Sequence, residues 1–186
     1  MIKQTWQRLR SPSAKWSVLA LVVTGVVVGF VLTVGTQVAV YVTGTDKFCG
    51  GACHSMQWVA KEHGESVHMA NRTGVHAGCH DCHIPATYPA NLIYKTKAGI
   101  KDIIGEMRGI ISTEADFKKM RLEMAKEIWE EYRANGSENC RNCHTFTPAV
   151  LAKQKEFARP MHEAVLAGNG TCIDCHKGVG HAAPEE

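Results

Sequence analysis

Eight cysteines and ten histidines stand out in a chain of 186 residues of which only 7% are aromatic. The cysteines fall into four pairs, and a histidine follows each pair directly: Cys49-Gly-Gly-Ala-Cys53-His54, Cys79-His-Asp-Cys82-His83, Cys140-Arg-Asn-Cys143-His144 and Cys172-Ile-Asp-Cys175-His176. Two thiols so spaced can add to the two vinyl groups of one haem, and the imidazole that comes next reaches the iron. Three of the pairs are C-x-x-C-H, the attachment signature of c-type haem. The first has three residues between its thiols, so its geometry must differ. Zinc ribbons also pair cysteines, but four pairs would make two zinc sites and leave every histidine spare. A disulfide framework leaves the same histidines unexplained. The pattern therefore predicts four covalently bound haem c groups on Cys49, Cys53, Cys79, Cys82, Cys140, Cys143, Cys172 and Cys175, with His83, His144 and His176 as iron ligands.

Six histidines lie outside these motifs: His63, His68, His76, His80, His162 and His181. Low-spin electron-transfer haems take two strong axial ligands, so some of the six should supply the second; spacing does not say which. Lys95 and Asp102 are seven residues apart, close to two helical turns, and share a face if that segment is helical. Spacing alone makes them two surface charges.

The elements that must carry these residues begin with an anchor. No charged residue occurs from Trp16 to Thr45. A helix over 16–42 would be about 40 Å long, enough to cross a hydrocarbon core of about 30 Å once with tilt. A signal peptide would have a shorter apolar run and a small-residue cleavage site; neither Ala20 nor Ala39 has an alanine two places away. Residues 1–15 carry Lys3, Arg8, Arg10 and Lys15 and no acid, which predicts a cytoplasmic N-terminus and an external domain over 43–186. The net charge of +3 is thus local: outside 1–15 there are 17 basic and 18 acidic residues. That excludes a nucleic-acid partner. Gly25 and Gly29 form a G-x-x-x-G pair that could bring two spans together as a homodimer; small residues are also common in single spans, and both readings stand.

Outside the membrane the fold class is mainly α: helices and loops around four haems, with no alternating strand pattern. The pairs form two clusters, 49–83 and 140–176, joined by a helical linker over 91–134. Asn91–Met107 follows the turn residues Pro85 and Pro89. Thr113 and Asp116 make a capping box before Phe117, Met120, Met124 and Ile128, and Asn135-Gly136 gives a stop, so Thr113–Ala134 reads as an amphipathic helix. Residues 182–186 read as a frayed end.

Together these residues resemble the NapC/NirT family (NrfH-like) of membrane-anchored tetrahaem cytochromes. The most specific stretches are Asn71 to Pro85, Arg121 to Lys126, Glu138 to His144 and Cys172 to His181. The resemblance implies a bacterial inner-membrane protein whose haem domain is periplasmic and which oxidises menaquinol or ubiquinol and passes electrons to a periplasmic reductase, with nitrate reductase first. A terminal multihaem reductase with an open haem site, and a passive relay reduced by another membrane complex, are the alternatives. The resemblance also implies His68 as ligand of the third haem and His181 of the second; His162 is the choice for the fourth. His63, His76 and His80 are left as surface residues or propionate partners. At the first haem the family's C-H-x-Met pattern favours Met56 over His54 as iron ligand. Lys95 and Asp102 match a family pair beside that haem, where quinol is thought to bind.

Overall fold

The computed structural model describes residues 16–185. The basic N-terminal segment 1–15 lies outside the described residues. The chain divides between Val42 and Thr43 into two compact units.

The first unit holds α1 (Val18–Val42), with no buried side chain and a mean hydropathy high enough for a membrane span. Its 25 residues give a length of about 38 Å. The helix starts two residues after the predicted Trp16 because Ser17 caps it: the Ala20 N–H donates to Ser17 Oγ at 3.2 Å. Within the span, the Thr33 and Thr36 hydroxyls donate to the Gly29 and Leu32 carbonyls at 2.8 Å each, so neither is left unsatisfied in an apolar medium.

The second unit is a set of short helices on two long ones. In chain order they are α2 (Asp46–Gly51), a 3-10 turn (His54–Met56), α3 (Gln57–Glu65), α4 (Cys79–His83), α5 (Ala90–Met107), α6 (Glu114–Ala134), α7 (Glu138–Arg141), α8 (Pro148–Leu151), α9 (Ala158–Leu166) and α10 (Cys172–Cys175). No strand occurs among the described residues. The two long helices match their predicted ranges to within one residue. Thr113 caps α6 reciprocally with Asp116, at 3.2 Å and 2.9 Å. The Asn135-Gly136 stop closes it with Ser137 N–H on Tyr132 O at 2.7 Å and Gly136 N–H on Arg133 O at 3.2 Å.

Helix α6 is the spine to which the cysteine-bearing segments are tied. Near its start Phe117 stacks on Trp58 of α3, centroids 5.6 Å apart. Further along, Glu127 pairs with Lys101 and Glu131 accepts from the Tyr94 hydroxyl at 3.1 Å, both on α5. The Tyr132 hydroxyl donates to Cys82 O in α4 at 2.8 Å, and Arg133 Nε to Asp174 in α10 at 2.7 Å. Yet the apolar core among the described residues is only Phe117, Trp129 and Ile173. Three buried apolar side chains are far too few to offset the chain entropy of a unit this size.

Candidate functional site

Local backbone geometry explains why the cysteine pairs work as units. In the third and fourth motifs the histidine N–H donates to the carbonyl of the first cysteine, His144 to Cys140 and His176 to Cys172, both at 2.9 Å. The second motif, Cys79–His83, is itself the helix α4. One helical turn therefore sets two thiols and an imidazole on one side of the chain. Helix α4 is capped from a distance: Cys79 N–H donates to Asp46 Oδ1 of α2 at 2.7 Å. Gly78 makes room for that carboxylate, since a Cβ there would lie 2.6 Å from Asp46 Oδ1.

The first motif differs. Helix α2 ends at Gly51 and Cys53 is extended. A Cβ on Gly50 would lie 2.7 Å from the Ala60 side chain, so the lack of a side chain there lets α2 close onto α3. His54 N–H goes to Glu106 Oε1 at 2.7 Å, not back to Cys49. Its ring Nε2 is 2.8 Å from Ser112 O, and Nδ1 is 3.1 Å from the Gln57 amide nitrogen. Met56, two residues on, is about one-third exposed.

The spare histidines pair with the motif histidines. Ring centroids are 6.2 Å apart for His68 and His144, 6.1 Å for His181 and His83, and 6.0 Å for His162 and His176, the last pair nearly parallel at 12°. Two imidazoles on opposite sides of one metal, each with a metal–nitrogen bond of about 2 Å, have centroids about 6 Å apart. The three spare rings are also held alike. Nδ1 of His68 faces Val179 O at 3.1 Å, that of His181 faces Val59 O at 3.1 Å, and that of His162 faces Gln154 Oε1 at 2.7 Å. An acceptor on Nδ1 fixes the proton there and leaves the Nε2 lone pair for a metal. His63 is the reverse: its Nε2 is taken up by Ala77 O at 2.9 Å. It is also only 6% exposed, with its ring 5.8 Å from that of His181. The expectation of a surface residue is corrected for His63, because the loop carrying Ala77 folds over it. His76 and His80 are exposed, with Nδ1 of His76 on Met69 O and Nε2 of His80 beside Asp81.

The cysteine pairs form one line of electrostatic neighbours. None forms a disulfide, and no three ligand-type side chains among the described residues converge to hold a bare metal ion. A hydrogen bond with Cys79 holds the Cys49 thiol below the usual range; burial opposes this, and the Lys95 charge helps it. Burial pushes the Cys140 thiol up to about 11, with Cys172 and Cys82 acting the same way. Burial raises Cys82, with smaller contributions from Asp81 and Cys143. Neighbouring pairs thus act on one another in the order first, second, third, fourth. Burial also pushes the His83 imidazole down to about 4, so it is neutral and able to ligate at physiological pH.

Lys95 and Asp102 lie at the Cys49 end of the line. The Lys95 charge acts on Cys49, and that of Asp102 acts on both Cys49 and Cys53. Burial lowers the Lys95 pKa and raises that of Asp102; nearby Lys101 opposes the second shift and Glu127 adds to it. By surface area Asp102 remains exposed, so water screens its charge.

These residues fit covalent haem: paired free thiols, on one helical turn in three motifs, imidazoles at two-ligand spacing with the three spare rings tethered at Nδ1, and too little apolar core without an additional interior group. The sequence model of the NapC/NirT cytochrome c family, N-terminal region, matches residues 11–186. The chain belongs to this family. Among NapC/NirT relatives it is 40% identical over 178 residues to the denitrification system component NirT of Stutzerimonas stutzeri, covering 95% of this chain and 88% of NirT. It is 38% identical over 186 residues to the cytochrome c-type protein NapC of Escherichia coli K12, covering 100% and 92%. With the cytochrome c-type protein TorC of the same organism it shares 41% identity over 184 residues, or 99% of this chain; the chain spans about half of TorC, 47%. Membership makes this a c-type cytochrome with covalently bound haem c, a protein of electron transport, and α1 fits the membrane anchor of the family.

Sequence reasoning missed several residues that build the site. Glu106 clamps the 3-10 turn, accepting from His54 N–H at 2.7 Å, Ser55 N–H at 3.4 Å and Ser55 Oγ–H at 2.6 Å. Asn139, buried, donates to Cys82 O at 2.6 Å and Ile84 O at 3.0 Å, tying the second motif to the third. Arg121 binds Glu62 through two bonds of 2.5 and 2.6 Å and donates to Ala182 O. With Ala182 N–H on Glu62 at 3.1 Å, this fixes the start of the predicted frayed end. The only signal was that Asn139 and Arg121 fall in the stretches that resemble the family.

Proposed function

We propose that this cytochrome oxidises membrane quinol, menaquinol or ubiquinol, and delivers the electrons through four haems to a periplasmic reductase. The observation that carries this reading is the succession of attachment thiols that act on one another, from Cys49, on which the Lys95 and Asp102 charges act, to Cys172 of α10. When bound, haem c accepts and releases single electrons without making or breaking bonds. Cys49 and Cys53, Cys79 and Cys82, Cys140 and Cys143, and Cys172 and Cys175 hold the four groups. His83 with His181, His144 with His68, and His176 with His162 would supply the iron ligands of three of them. The tethered Nδ1 atoms of His68, His162 and His181 hold those three rings in place, which keeps reorganisation small. At the first, both ring nitrogens of His54 are engaged by protein groups, which supports Met56 as the ligand.

Quinol oxidation releases two electrons and two protons. Asp102, its pKa raised by burial, is suited to accept a proton, and Lys95 to hold a quinol oxygen by hydrogen bond. Three ligand pairs of this kind weigh against a terminal reductase, which needs an open iron. The domain is assigned to the periplasm because the basic residues precede α1. Nitrate reductase is the first candidate for the electron acceptor; the NirT and TorC relatives keep other reductases in view. A copurifying reductase tests this part: a complex with a periplasmic nitrate reductase supports it, and a complex with another reductase redirects it.

A further inference from the structure

Residues 174–182 run antiparallel to α6 and are tied to it at three points. Asp174 accepts from Arg133 Nε–H at 2.7 Å, the Lys177 ammonium lies 4.3 Å from the centroid of the buried Trp129 ring, and Ala182 O accepts from Arg121. Residues 121, 129 and 133 fall within about 120° of one another around the helix, so one side of α6 carries all three ties. Between the outer ties lies His176-Lys-Gly-Val-Gly-His181. On the proposed ligand pairs, these six residues serve three haems. His176 pairs with His162 at the fourth, and His181 with His83 at the second. Val179 O faces Nδ1 of His68, which pairs with His144 at the third, at 3.1 Å. Gly178 allows the turn between the two histidines. Its φ is +78°, and a Cβ there would lie 3.2 Å from Ala183 Cβ and 3.3 Å from Ala183 N.

We propose that segment 176–181 is one frame that sets the iron ligands of three haems together, with Lys177 as its positioning residue. Of the three ties, only that of Lys177 lies between the two ligand histidines. The inference rests on the ligand pairs of the proposed function and not on the quinol chemistry. Its consequence is sharpest at the third haem. A carbonyl that accepts from His68 Nδ1–H makes the imidazole a stronger donor to the iron, which favours the ferric state and lowers the potential. Release of the frame from Trp129 moves Val179 O, weakens that bond and raises the potential of the third haem. Loss of the Lys177 charge as such has the opposite sign, because removing a nearby cation makes reduction harder. The first motif is held elsewhere, by Glu106 and Ser112, so its haem stays as it is.

The test uses the full, haem-loaded chain in detergent, with low-spin EPR signals and potentials from a spectroelectrochemical titration as readouts. His68→Met identifies the third haem's signal. Lys177→Gln removes the cation, and Lys177→Arg keeps a cation on the Trp129 ring. Gly178→Ala, which displaces the same carbonyl, serves if Lys177→Gln does not take up its haems. The frame predicts that Lys177→Gln moves the third haem's signal and raises its potential, that Lys177→Arg restores both, and that the first haem is unchanged. A change confined to the fourth haem, or potentials that only fall, would be the loss of a nearby charge and overturns the inference. An unmoved third-haem signal in both Lys177→Gln and Gly178→Ala overturns it too. If His68→Met alters no low-spin signal, the ligand pairs themselves fail and the inference falls with them, a result separate from the other two.

Discussion

Arg121→Ala should loosen the segment that carries His181. In the native protein Glu62 takes two charge-assisted bonds from Arg121, and the same guanidinium donates to Ala182 O. The two side chains keep only 18% and 24% of their surface exposed. Breaking a buried ion pair by removing one partner costs about 3–5 kcal/mol, and an exposed pair is worth about 0.2–1; a pair with this exposure falls between, at about 2 kcal/mol. Local opening around Ala182 should then be about 30-fold more frequent. Native-state hydrogen exchange at the Ala182 amide measures it directly. Arg121→Lys should recover part of the loss, because an ammonium cannot reproduce the two parallel bonds. The pH dependence follows. Burial pushes the Glu62 carboxyl up, but the Arg121 bond and charge more than offset it, and its pKa lies below the ordinary carboxylate range. A carboxyl held low in the folded state stabilises fully above its unfolded pKa and ceases to as pH falls through the folded value. The advantage of the native protein over Arg121→Ala should therefore shrink below about pH 4. Unchanged exchange at Ala182 in Arg121→Ala would refute the reasoning.

Three further perturbations probe other joints. Asn139→Ala leaves the half-buried Ile84 carbonyl without this donor and should destabilise the fold by about 1–3 kcal/mol, read as a lower midpoint in denaturant. Glu106→Ala removes three acceptor contacts from the 3-10 turn; resonance Raman or EPR should show an altered first haem with the other three unchanged. Asp174 both caps α10 through Thr171 and binds Arg133, and its pKa is held down to about 2, chiefly by that arginine. Its contribution is present above the ordinary carboxylate range and lost as pH falls towards 2, so Asp174→Asn should flatten the acid sensitivity of the fourth haem's Soret band.

What was legible in the sequence is what is local in the chain. Covalent attachment fixes cysteine spacing, so the haem motifs could be read from four short stretches. The capping box at Thr113 and the stop at Asn135-Gly136 bounded α6 for the same reason. The spare histidines are a different problem. His68 meets His144, and His181 meets His83, only because α6 draws distant segments together, and nothing in the spacing of either names its partner. The resemblance to a family, not periodicity, singled them out. His63 shows the limit in reverse: once the resemblance had assigned the other ligands it was left as a surface residue or propionate partner, but Ala77 O and the His181 ring hold it in the interior. The departure at the first motif was visible as an extra residue, while its consequence, the Glu106 clamp, depends on a helix more than fifty residues away.

The central claim is that electrons enter from quinol beside Lys95 and Asp102. The most direct measurement adds menaquinol or ubiquinol to the purified protein in nanodiscs under anaerobic conditions and follows haem absorbance by stopped flow. The account predicts reduction of the haems by quinol alone, slowed in Asp102→Asn while the spectra of the oxidised haems stay unchanged. No reduction by either quinol, with all four haems still reducible by dithionite, would contradict it.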